Sequence, residues 1–177
     1  MEFIAGDYTR HYIVQALFKL MAVRDFHEIS VSDIVRKAGV GRASFYRLFG
    51  SKEEVIRYYF ARESADFQAL RLPRPRCLED YRELILTIMR SFEKNKGPLR
   101  LLQKAHLEYL YLEYLNEKFS ETFSNDLLET NPYKALAYSG SLFNISMKWL
   151  SEDCQAPAEE VTEAMLSAVF ALRRSES

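Results

Sequence analysis

Between Ile34 and Lys52 the chain carries five basic residues, Arg36, Lys37, Arg42, Arg47 and Lys52, and no acidic one. Within that window Arg42, Ser44, Tyr46 and Arg47 fall on the outward positions of one short segment, and Phe45 and Phe49, four apart, fall on its inner side. Arg42 stands at the leading end, where its planar guanidinium has the geometry to bond guanine N7 and O6 together. Ser44 and Tyr46 add hydroxyl donors for phosphates or base edges. Lys52 follows a helix cap, so its ammonium and the free backbone N–H groups of that helix are placed to grip one phosphate jointly. The chemistry is that of contact with duplex DNA; the plain alternative is a solvated charged face, and for Tyr46 simple packing.

Three helices must hold that face. Ile13, Ala16, Leu17, Leu20 and Met21 repeat at three and four spacing and predict an amphipathic helix over about 7–24. Ser30 and Asp33 resemble a capping box, Val31, Ile34, Val35 and Ala38 form one apolar face, and Gly39 is a natural left-handed stop. A third helix, barely two turns long, is expected from Arg42 to Phe49 between Gly41 and Gly50. Two short helices joined by Ala38-Gly39-Val40-Gly41 and braced by the first make a helix-turn-helix that presents the second of the pair to a major groove.

Ser51 and Glu54 predict another capping box, opening a helix to about Leu70. Leu72-Pro73-Arg74-Pro75-Arg76 interrupts the helical pattern and reads as a linker. Tyr81, Leu84, Ile85, Ile88, Met89 and Phe92 then predict an amphipathic helix that Gly97-Pro98 breaks. A helical stretch is expected from Leu99 to about Phe123, bent near His106, with Leu107, Leu110, Tyr111, Tyr114 and Leu115 inside. Asn131-Pro132 starts a helix running to about Leu150. Pro157 starts the last, with Val161, Ala164, Met165, Ala168, Val169 and Leu172 as its stripe and Arg173-Arg174 at its end. The expectation is an all-α chain of about nine helices: a helix-turn-helix head, 1–52, and a helical body, 53–177.

Charge divides the same way. Residues 1–52 hold eight Lys/Arg against five Asp/Glu, and the remainder sixteen against twenty, so a basic head sits on a slightly acidic chain of net charge -1. That is a local footprint of phosphate contact. Cys77 and Cys154 lack CxxC spacing and a histidine cluster, so two reduced thiols are expected and neither a disulfide nor a metal site. No apolar run approaches a membrane span and no signal peptide is evident, which points to a soluble, cytoplasmic protein without membrane partners. With no Gly-rich phosphate loop, nucleophile elbow or HExxH set, neither catalysis nor a cofactor is expected.

The run Ile29-Ser30-Val31-Ser32-Asp33-Ile34-Val35-Arg36-Lys37-Ala38-Gly39-Val40-Gly41-Arg42-Ala43-Ser44-Phe45-Tyr46-Arg47-Leu48-Phe49-Gly50-Ser51-Lys52-Glu53 resembles the signature of TetR/AcrR regulators, and Thr9, Arg10, Ile13, Ala16, Leu17 and Phe26 are similar to the preceding helix and turn. The resemblance implies DNA contacts at Ser32, Arg42, Ala43, Ser44, Tyr46, Arg47 and Lys52, followed by a ligand-binding and dimerising body. Leu48 departs from a histidine that contacts phosphate in many members, and Gly41 from the usual serine cap.

A two-turn reading helix makes too few contacts alone, so a homodimer on two half-sites of a palindromic operator is expected. Ala135, Ala137, Ser139, Gly140 and Ser141 would let helix 132–151 approach a partner closely, together with helix 157–173; ordinary monomer core is the alternative. The family resemblance places the dimer interface on the same two helices. Phe92, His106, Tyr109, Tyr111, Tyr114, Phe143, Met147 and Trp149 are candidate linings for a small apolar or aromatic effector, or else simply core. The expected function is a DNA-binding repressor modulated by such an effector; the rival is a regulator-like protein that senses a ligand or binds protein without DNA.

Overall fold

The computed structural model describes residues 5–69, 77–123 and 132–170. Its helices are α1 (Ala5–Met21), α2 (Val31–Ala38), α3 (Arg42–Leu48), α4 (Lys52–Ala69), α5 (Leu78–Lys94), α6 (Lys96–Lys104), α7 (Tyr109–Phe123), α8 (Pro132–Ser151) and α9 (Ala158–Phe170), with a 3-10 turn at Phe26–Glu28. Among the described residues there is no strand. The expected all-α architecture is what is observed; the expected linker 72–76, Asn131 and the pair Arg173-Arg174 lie outside the described residues.

The head is built by local signals that agree with its packing. Ser30 caps α2: its Oγ accepts from the Asp33 N–H at 3.1 Å while the Asp33 carboxylate accepts from the Ser30 N–H at 3.1 Å. At the other end Gly39 has φ +69°, and the Val40 N–H reaches back to the Val35 carbonyl at 3.0 Å, the closure that a left-handed residue permits. Phe45, fully buried, and Phe49 fasten α3 to a core of Ile13, Leu17, Ile34 and Val55. The capping box expected at Ser51 and Glu54 is only half formed. Ser51 Oγ accepts from the Glu54 N–H at 3.2 Å, but the Glu54 carboxylate accepts from Gly50 at 2.7 Å.

The stretch expected as one bent helix from Leu99 to Phe123 is two helices, and the first begins earlier, at Lys96, with Gly97 and Pro98 in its opening turn. His106 takes φ +55°, and the Leu107 N–H closes onto the Leu102 carbonyl at 2.9 Å, with both leucines buried. This is the closure seen at Gly39, made by a residue with no glycine signature. Asp153 repeats it after α8 at φ +61°, with the Cys154 N–H bonded to the Trp149 carbonyl at 2.9 Å.

Helices α5 to α9 pack α5 on α9 and α7 on α8, and α4 lies against both α1 and α7. Side chains tie the layers. Arg82 of α5 bonds Glu163 of α9 through two nitrogens, at 2.5 and 3.0 Å, and Arg90 bonds Glu159 at 2.6 Å. Lys96 and Arg100 converge on Asp153 at 3.2 and 2.7 Å, and hold its carboxyl below the usual range. Both free thiols are placed: Cys77 is exposed and Cys154 buried.

Candidate nucleic-acid interface

Ser32, Arg42, Ala43, Tyr46 and Arg47 are all exposed, and Ser44 is half-buried. Their common face follows from the burial of Phe45 and Phe49, whose rings lie 5.9 Å apart and leave the remaining positions of α3 outward. Tyr46 is 50% exposed, with its ring edge-on to Phe45 at 5.5 Å. Leu48 is half-buried and packs against the core.

The basic residues of the window divide into two groups. Arg36 is neutralised by Asp33 at 2.5 Å, and Asp33 also holds Arg24 at 3.3 Å. Hydrogen bonds from Ser30, reinforced by the Arg24 guanidinium, lower the Asp33 carboxyl to about 2. Lys37, Arg42 and Arg47 are exposed and pair with no carboxylate among the described residues. Lys37, at the end of α2, joins the candidates; only its membership of the basic window signalled it.

Lys52 departs from the expectation. Its ammonium, expected to grip a phosphate, turns into the head and donates to the carbonyls of Phe26 and Ile29 at 2.7 and 2.8 Å, 4.2 Å above the Phe26 ring. The Phe26 carbonyl also accepts the Ile29 N–H at 3.2 Å, whereas the Ile29 carbonyl, just before α2, has no other donor among the described residues. The Ile29 carbonyl lies 23 residues away, and no local pattern signals that contact.

The effector candidates separate. Phe92, Tyr111 and Trp149 are buried, Tyr114, Phe143 and Met147 half-buried. Tyr111 centres an aromatic cluster, with ring separations of 5.3 Å to Phe60, 5.7 Å to Phe92 and 6.3 Å to Phe143. Tyr114 stacks on Phe60 at 5.7 Å and Trp149 on Phe92 at 6.3 Å. Burial pushes the Tyr111 hydroxyl above its ordinary range, opposed by its hydrogen bond with Ser146. His106 and Tyr109 stand apart from that cluster: His106 is exposed on its left-handed turn and Tyr109 is 45% exposed. Phe60 was not anticipated as a member.

On α8 the expected small face is split. Ala135 and Ser139 are buried inside the chain, and Ser139 Oγ bonds Asn116 of α7. Tyr133, Leu136 and Ala137 are exposed instead. On α9 Met165 and Leu166 face inward and Ala164 and Ala168 outward, which corrects the expected stripe; Val161 is half-buried, and the side chain of Val169 and all of Leu172 lie outside the described residues.

The link between head and body runs along α4. Tyr59 donates to Asn95 Oδ1, at the junction of α5 and α6, at 3.2 Å, and Arg57 bonds Glu113 of α7 at 2.8 Å. The Tyr59 ring also packs edge-on against Phe18 of α1 at 4.8 Å. Neither Asn95 nor Glu113 carried a signal in sequence.

A braced helix-turn-helix is an arrangement that can present its second helix to a major groove. Residues 13–59 match the family model of bacterial regulatory proteins, tetR family. Over 58 residues the chain is 36% identical to a Lactococcus lactis protein described as HTH-type dhaKLM operon transcriptional activator DhaS, a match that covers 33% of this chain and 31% of that one. Lin0861 from Listeria innocua is similar in fold along almost the whole length, with a TM-score of 0.78, 15% identity, and 97% and 95% of the two chains covered. Thermus thermophilus FadR, described as a TetR-family repressor in complex with lauroyl-CoA, has a TM-score of 0.54, 18% identity, and 91% and 93% covered. No described helix is long and apolar enough to cross a membrane.

Proposed function

We propose that the protein is a DNA-binding transcriptional regulator that acts in the cytoplasm as a homodimer on a palindromic operator and represses by occupying it. The observation that carries this is the exposed face of α3, where Arg42, Tyr46 and Arg47 stand free of carboxylates while Phe45 and Phe49 lock the helix from behind. A two-turn helix with two guanidinium groups free of carboxylates is suited to a major groove, and a second copy supplies the other half-site one helical turn away. Ser32, Ala43, Ser44 and Lys37 complete the contact surface. Helices α8 and α9, with Leu136, Ala137, Ala164 and Ala168 outward, are the surface we assign to the partner copy.

The aromatic cluster around Tyr111 is the proposed effector region, for an apolar or aromatic small molecule with one or two polar handles. Tyr111 lies on α7, which packs on α4, and α4 is bonded to the head through Lys52. A molecule that displaces these rings therefore has a short path to the reading helix.

An electrophoretic mobility-shift titration against duplexes from the region upstream of its own gene tests the proposal. A shift with two chains per duplex, weakened roughly tenfold with Arg42→Ala, is the expected result. No preference for any duplex, and no effect of Arg42→Ala, would leave a ligand-sensing or protein-binding role in its place.

A further inference from the structure

Arg42 is the first residue of α3, and its guanidinium is not free to sweep the solvent. One terminal nitrogen donates to the Tyr46 hydroxyl at 3.4 Å, and the guanidinium carbon lies 5.6 Å from the Tyr46 ring centre. The two residues are four apart, so both contacts are made along a single helix face. Among the described residues Arg42 has no carboxylate partner, unlike Arg36 and Arg24, which Asp33 holds. A guanidinium that faces a carboxylate has its fork occupied; one that faces a phenol keeps most of its five donors.

The consequence concerns which contacts read bases. Arg47, three positions after Ser44, is exposed and has no carboxylate partner among the described residues, which suits it to phosphate. Arg42 is held at the helix N-terminus, the end that meets base edges, with one edge of its fork on Tyr46 and the other free. Two parallel N–H donors match O6 and N7 of guanine and none of the other bases equally well. The Tyr46 hydroxyl, accepting from Arg42, keeps its own proton for an acceptor on the DNA backbone.

We propose that Tyr46 is a positioning residue for Arg42 and that the pair makes each head select a guanine in its operator half-site. This rests on the DNA-binding function proposed above. It goes further in assigning the sequence preference to a pair of side chains.

The test is selection from a random duplex pool by the full-length protein, repeated with Arg42→Ala, Arg42→Lys and Tyr46→Phe, the folding of each checked by circular dichroism. Both sites are exposed, so the three variants keep the core. The wild type should enrich a palindrome with one invariant guanine per half. Arg42→Ala and Arg42→Lys should reduce the preference for that guanine by roughly tenfold or more while leaving the other positions unchanged. Tyr46→Phe should weaken the same preference severalfold and no other. A palindrome whose preferences all survive Arg42→Ala, with affinity lower for every sequence, would make Arg42 a phosphate contact and overturn the inference alone. A Tyr46→Phe protein with undiminished guanine preference would overturn the positioning role. Enrichment of no sequence by the wild type would overturn the DNA-binding function and this inference together.

Discussion

The Lys52 ammonium lies 2.7 Å from the carbonyl oxygen of Phe26, so the first residue of α4 is fastened to the turn that leads into α2. Seven residues further along, Tyr59 bonds Asn95 between α5 and α6. One helix is thus bonded to the head at its start and to the body two turns later. A change in the body that shifts α4 moves the entrance of α2 with it, because the Lys52 bonds resist independent movement.

Replacing Lys52 by Met removes both bonds and leaves the Ile29 carbonyl without a donor, while the Phe26 carbonyl keeps the Ile29 N–H. The expected loss is about 1–2 kcal/mol, a fall in melting temperature of roughly 2–8 °C for a chain of this size. The salt dependence of DNA binding should stay as it is in the wild type. A reduced salt dependence with an unchanged melting temperature would return Lys52 to the role of phosphate contact.

Gly39 has φ +69°, and a Cβ built on it meets nothing within 4 Å. The cost of Gly39→Ala is therefore conformational, about 1–2 kcal/mol, and Gly39→Asn should cost less because asparagine tolerates the left-handed region. Thermal melts of the two variants decide this; equal losses would mean that the backbone conformation is not what sets the cost.

Asp33 titrates at about 2 in the folded chain, below the ordinary carboxyl value of 3.8. Its contribution to stability is complete above about pH 4 and is lost as pH falls toward 2, since the unfolded chain takes up the proton first. The wild type should thus lose stability over that window more steeply than Asp33→Asn, which should be less stable at neutral pH. Parallel curves of melting temperature against pH would contradict the assignment.

Leu136 and Tyr133 are exposed on α8, 47% and 77% respectively, on the surface assigned to a second copy. Leu136→Glu places a carboxylate there and should convert a two-chain particle to one chain in sedimentation, with helical content unchanged. A wild type that sediments as a single chain at micromolar concentration would remove the dimer from the account.

The elements built on local chemistry were readable in advance. Ser30 with Asp33, Gly39 before Val40, and the four-residue spacing of Phe45 and Phe49 each act within a turn or two, so the sequence window contains the whole interaction. The break at His106 was not readable as a helix end, because the left-handed closure there is stabilised by Leu102 and Leu107 rather than by a glycine. The inward turn of Lys52 depends on carbonyls 26 and 23 residues away, and the division of α8 between Ser139 and Leu136 on where α7 lies. Sequence periodicity identifies an apolar or small face, but it does not say which neighbour covers it.

The proposed function has the α3 face read DNA with a small number of cations. Titration of the wild type against the selected palindrome by fluorescence anisotropy, over a range of salt concentrations, is the decisive measurement. With Arg42 on a base, Lys37 and Arg47 are left for phosphates in each of two heads, so log affinity should fall against log salt with a slope of about -4. An affinity that is independent of salt, or equal for the palindrome and a scrambled duplex, would contradict it.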